Sequence, residues 1–196
     1  MTTTTPPAKA SLPGRDLALI AVFAAFIAVC AILPAIPVGP AAVPITLQTL
    51  AIYSAALILG GKRATLAVAL YLAAGFLGLP VFSGGKGGFG TFASPSIGYL
   101  IGFLPGALIT GTLAYAFLRR QVSAGVRFAQ LVLAVLLGFS MIQALGIVGM
   151  MINAKLSFTA ATTAALVYVP GDLIKCLVAV FIALAVHRAF PALARS

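Results

Sequence analysis

Asp16 and Asp172 are the only two acidic side chains in a chain of 196 residues, and long apolar runs separate them. That pattern closes most of fold space. A soluble domain keeps roughly a quarter of its residues charged, whereas 7% are charged here, 62% are hydrophobic and the mean hydropathy is +1.19. The chain reads as an integral membrane protein, long enough for one polytopic bundle and not for two domains.

A membrane-crossing helix takes about 20 apolar residues, with a range of about 17–25. Six segments qualify, some at the short end, at about 16–33, 45–60, 63–79, 97–118, 128–151 and 163–187. The predicted fold is therefore an all-α membrane protein, a six-transmembrane-helix bundle forming a single domain over 16–190. The first run is expected to be an uncleaved helix and not a signal peptide, because five further spans follow it. Ahead of it, Met1-Thr-Thr-Thr-Thr-Pro-Pro carries no apolar pattern, so residues 1–15 are expected to be a disordered cytoplasmic leader.

The formal net charge of +10 invites a nucleic-acid reading, but topology explains it better. With the N-terminus inside, Lys9, Arg15, Lys62, Arg63, Arg119, Arg120, Arg127, Arg188 and Arg195 fall on the cytoplasmic side, and only Lys86 and Lys155 fall outside. Nine against two is a clear positive-inside bias. Both termini are thus expected to be cytoplasmic, and no basic stripe remains to serve nucleic acid.

Against this background a charge at membrane depth stands out. Asp172 and Lys175 lie three apart inside an apolar segment, so on a helix they share one face, can pair, and can line one pocket. The plain alternative is a neutral pair that locks the bundle. Pro170 and Gly171 immediately before them favour a site, since a helix restarted there frees backbone groups and sets its positive end beside Asp172. Gln48, with Thr46 and Thr49, opens the second span and either caps it or turns inward to a ligand.

The expected outer connections carry the remaining polar chemistry. The segment 34–44 holds four prolines in eleven residues and reads as stiff, extended chain. The segment 80–96 is long and glycine-rich; it contains Gly85-Lys-Gly-Gly-Phe-Gly90, a G-x-G-x-x-G spelling without the strand–helix context of a dinucleotide fold. Its length favours a lid or pocket wall over a plain connector. Ala21, Ala24, Ala25 and Ala28 give small-residue spacings in the first span, suited either to internal packing or to a partner subunit. Gly98, Gly102 and Gly106 do the same in the fourth, where internal packing is expected. Cys30 and Cys176 read as small core residues, and a single histidine, His187, supports neither a metal site nor catalysis.

Four blocks in order, Pro44-Ile-Thr-Leu-Gln-Thr-Leu50, Gly78-Leu-Pro-Val-Phe-Ser-Gly-Gly85, Gly98-Tyr-Leu-Ile-Gly-Phe103 and Pro170-Gly-Asp-Leu-Ile-Lys175, resemble the BioY family. Its members are the biotin-binding S components of energy-coupling factor (ECF) vitamin transporters. The resemblance implies a multi-pass protein of the bacterial inner membrane that captures biotin from outside. It implies no enzyme activity and no cofactor of its own. ATP would be used only by partner subunits: a transmembrane coupling subunit and two ABC-type ATPases, for which Ala21, Ala24, Ala25 and Ala28 resemble the docking surface. Biotin offers two ureido N–H donors, a ureido carbonyl and a carboxylate tail. Asp172 suits the N–H groups and Lys175 an acceptor, with Gln48 as a further polar contact. Phe82 and Tyr99, with Phe89 and Phe92, suit the apolar parts. Lys86, Lys155 or glycine-loop amides such as that of Gly85 suit the carboxylate.

The sequence departs from the family in two places. Ser94-Pro-Ser-Ile-Gly98 stands where Gly-Pro-Thr-Gly-Gly is expected, and no arginine occurs between Arg63 and Arg119 to take a ligand-contacting arginine's role. Two rival readings stand beside this one: an S component for another vitamin, and a small intramembrane enzyme. The second needs a nucleophile–base pair or metal cluster that the residue inventory does not supply.

Overall fold

The computed structural model describes residues 14–33, 36–38, 43–190 and 193. Most of the leader expected over 1–15 lies outside the described residues. The elements run α1 (Gly14–Ile32), β1 (Ile36–Val38), β2 (Val43–Ile45), α2 (Gln48–Leu59), α3 (Gly61–Phe76), a 3-10 turn (Phe89–Ala93), α4 (Ile97–Leu118), α5 (Ala124–Asn153), α6 (Phe158–Leu166) and α7 (Val169–Ala189).

Among the described residues, α1, α4, α5 and α7 are long and apolar enough to cross a membrane. The second and third expected spans form shorter helices, of 12 residues in α2 and 16 in α3. At 1.5 Å per residue, α2 is only about 18 Å long, well short of a hydrocarbon core. It tolerates this because it is the hub of the bundle, packed against α1, α3, α4 and α7, with every residue from Ala51 to Leu59 buried. A helix apolar on all sides belongs in an interior.

The sixth expected span, 163–187, is two helices. Proline lacks an N–H and its ring collides with the carbonyl four residues back. Pro170 therefore cannot continue α6, which ends at Leu166, and it sits instead in the first turn of α7. A further correction concerns the all-α expectation: the proline-rich segment is extended as foreseen, but its described parts pair as an antiparallel hairpin with Pro37 opposite Pro44.

Lipid and core faces separate at helical period. In α7, Asp172, Cys176, Ala179, Val180 and Ala183 point inward, while Ile174, Leu177, Val178 and Phe181 are exposed. In α1 the inward set is Asp16, Ile20, Ala24, Ile27 and Ala31. The glycines of α4 are spent inside: Gly98 meets the backbone of Leu145 and Gly149 so closely that a Cβ there has no room. α4 and α5 accordingly form the most extensive helix pair.

One end of the bundle is tied by polar contacts. Arg63 Nε pairs with Asp16 Oδ2 at 3.1 Å, joining the starts of α3 and α1. The last carbonyls of α2 lack helical partners. Tyr115 OH lies 2.7 Å from Ile58 O, and the His187 ring Nε2 2.9 Å from Leu57 O. His187 thus has a structural task, sealing a helix end.

Candidate functional site

At the opposite end, the break before Pro170 decides the chemistry. The first hydrogen bond of α7 runs from Asp172 N to Tyr168 O (2.9 Å), which sets Asp172 in the first turn, where the helix dipole favours an anion. Its carboxylate is buried at 7% exposure. Lys175 Nζ donates to Asp172 Oδ1 at 2.9 Å and to Thr49 Oγ1 at 3.3 Å, and Thr49 Oγ1 donates to the same Oδ1 at 3.0 Å. Among the described residues, both hydrogen bonds to this carboxylate fall on Oδ1. Asp172 Oδ2 and the third ammonium proton of Lys175 have no partner among the described residues.

Gln48, the first residue of α2, is 4% exposed and is held by two contacts. Its N–H donates to Thr46 Oγ1 at 3.3 Å, and its Nε2 donates to Tyr71 OH at 2.8 Å. The roof is pinned from below by Tyr168, whose hydroxyl donates to Val43 O of the hairpin at 2.9 Å. The glycine-rich segment turns back on itself through Phe82 N–H to Lys86 O, at 2.9 Å, with Gly84 and Gly85 at φ +74° and +69°. Its far side is anchored by Asn153 Nδ2, which donates to Phe92 O at 2.6 Å and to Ser94 O at 2.9 Å.

These pieces line a mainly apolar cavity of about 320 Å³. Asp172, Lys175, Gln48, Lys86, Phe82 and Tyr99 all line it, together with Thr49, Tyr168, Ser83, Gly84, Thr91, Ser94, Ser96, Leu100 and Phe103. The size lies at the lower end of small-molecule sites. Two buried atoms in the lining, Ser83 Oγ and Tyr99 OH, have no hydrogen-bond partner among the described residues. A buried polar group without a partner costs about 1–3 kcal/mol, so each is a standing donor for a polar ligand.

Three expectations need correction. Gly85 sits exposed at the turn and is not part of the lining, where its neighbour Gly84 is. Phe89 and Phe92 stack on each other, largely exposed, and Lys155 is exposed beyond α5; none of the three reaches the cavity. In α1, Ala21 and Ala25 face outward and Ala28 is half-buried, but Ala24 is buried in the core and has no outward face to offer a partner. Sequence reasoning missed Thr49 as the third member of the ion-pair triangle, and it missed Tyr71 and Tyr168. Thr49 adjoins Gln48, which was a usable signal. The two tyrosines carried none, since an apolar helix gives a phenol no reason to point one way.

Comparisons with known proteins converge. The profile of the BioY family matches residues 3–192. The biotin transporter BioY of Rhizobium etli is 39% identical over 180 residues, covering 91% of this chain and 96% of the relative. That of Rhodobacter capsulatus is 40% identical over 192 residues, covering 92% and 98%. A solved structure, the S-component for biotin from an ECF-type ABC transporter, superposes with a TM-score of 0.83 at 30% identity, covering 91% of this chain and 95% of that one.

Proposed function

The chain belongs to the BioY family, and from that premise we propose that it is a membrane substrate-capture subunit for biotin uptake. It is a transporter component and not an enzyme. One observation carries the reading: a mainly apolar cavity presents a buried carboxylate and an ammonium, already neutralising each other, with one acceptor and one donor position unspent among the described residues. A ureido ring needs that combination, since it brings N–H donors and a carbonyl in one plane and no charge. In this reading Asp172 accepts from the ureido N–H and Lys175 donates to its carbonyl. Phe82 and Tyr99 wall the thiophane and tail. Lys86, which lines the cavity and makes no ion pair among the described residues, meets the carboxylate with Ser83 beside it.

The same reading makes 16–190 one membrane domain that crosses the inner membrane six times, with α2 and α3 as the short crossings and α6 with α7 as the broken one. The Asp16–Arg63 pair supports both termini being cytoplasmic, because it sets the starts of α1 and α3 at one end, the cation-rich end. No ATP-binding motif occurs in the chain, so energy comes from partners: a coupling subunit and two ATPases. Ala21 and Ala25 on the outward face of α1 are the proposed contact.

The deciding experiment is binding of labelled biotin to detergent-purified protein beside thiamin and riboflavin. Saturable biotin binding below micromolar concentration is expected. No biotin binding at that concentration, or a preference for another vitamin, refutes the assignment.

A further inference from the structure

Tyr71 lies outside the cavity lining, yet it joins two parts of it. The residue is 2% exposed, in the middle of α3. Its hydroxyl lies 3.3 Å from Val81 O, at the base of the glycine-rich segment, and 2.8 Å from Gln48 Nε2. Its ring meets Phe82 edge-on with centroids 5.5 Å apart, and Phe82 fills a notch over Gly75 that a Cβ would occupy.

Counting protons orients this chain of contacts. Val81 O only accepts, so the Tyr71 hydroxyl spends its one proton there. Towards Gln48 the hydroxyl then has only lone pairs, and Gln48 must present its NH₂. The amide carbonyl, Oε1, is the end left for the cavity, and it takes no hydrogen bond among the described residues. The neighbouring residue, Thr49, is the one that holds Asp172 through Oδ1. The cavity lining therefore offers two acceptors, Gln48 Oε1 and Asp172 Oδ2.

We propose that Tyr71 is a positioning residue for ligand selection: it fixes Gln48 as an acceptor, and it does so only while the glycine-rich segment is seated. When Val81 O leaves, the hydroxyl proton is free to turn to Gln48 and the amide loses its enforced direction. The acceptor pair matches a ligand with two N–H groups flanking a carbonyl, so this inference rests on the biotin reading and deepens it.

The test is a double-mutant cycle read by equilibrium biotin binding. Tyr71→Phe keeps the ring and its Phe82 contact and removes only the hydroxyl. It is expected to weaken binding about tenfold, the size of one buried hydrogen bond. In a Gln48→Ala background, and again in Gln48→Met, the same change is expected to cost less than about twofold, because no amide remains to be oriented. A packing role for Tyr71 would cost the same in all three backgrounds, and that additive result overturns the inference. The wild-type titration separates the two levels. Biotin binding by the wild type with an additive cycle removes only the role of Tyr71, whereas no biotin binding by the wild type removes both.

Discussion

The protein holds two acid–base pairs of nearly equal burial, one at each end of the bundle. Asp16 is 8% exposed and Asp172 7%; the first meets Arg63 at 3.1 Å and the second Lys175 at 2.9 Å. What differs is the surroundings. Asp16–Arg63 ties α1 to α3, and neither residue lines the cavity. Asp172–Lys175 lies within one helix, gains Thr49 from α2, and faces empty volume. A buried ion pair is therefore no evidence of a site in itself; the unspent hydrogen-bonding positions beside a cavity are.

Three changes sharpen or break that contrast. The largest effect is expected from Asp172→Asn. It removes the charged acceptor and leaves Lys175 without a counter-charge, for a loss of about 3 kcal/mol or about a hundredfold in biotin affinity. The bundle should still fold, because Lys175 keeps its contact with Thr49 and faces the cavity. Normal binding by this variant would make the pair structural, like its counterpart. Asp16→Asn is expected to do the opposite: about 2 kcal/mol of stability lost, seen as a lower melting temperature, with biotin affinity unchanged. A loss of affinity there would mean that the two ends are coupled. Lys86→Met is the mildest. Biotin should bind about tenfold more weakly, as expected when a charge-assisted contact is lost, while biotinamide, which has no carboxylate, should bind as before. An equal loss for both ligands would remove Lys86 from the tail-binding role.

Much of this was legible in the residues, though unevenly. Asp172, Lys175, Gln48, Phe82, Tyr99 and Lys86 were all named from sequence and all line one cavity. They are rare or awkward residue types in an apolar chain, so each one announces itself. Gly85 was one position off because a glycine run does not tell which member faces inward; the turn closed by Phe82 and Lys86 chose Gly84. Ala24 failed as a surface residue because a four-residue spacing marks a face without saying which way it looks. The sixth run misled in length, since hydropathy averages over Pro170 as though the helix ignored it.

Hydropathy, charge count and proline position are properties of neighbours along the chain. By themselves they determined that this is a membrane protein and that a rare ion pair stands at a helix restart. The tertiary structure alone decided that α2 is the buried hub, that Thr49 completes the Asp172 triangle, and that the Gln48 amide meets the Tyr71 hydroxyl. Those outcomes depend on which faces of distant helices meet, and on where a single hydroxyl proton goes. An apolar sequence constrains neither, because in a membrane core one apolar face is energetically much like another until side chains interlock.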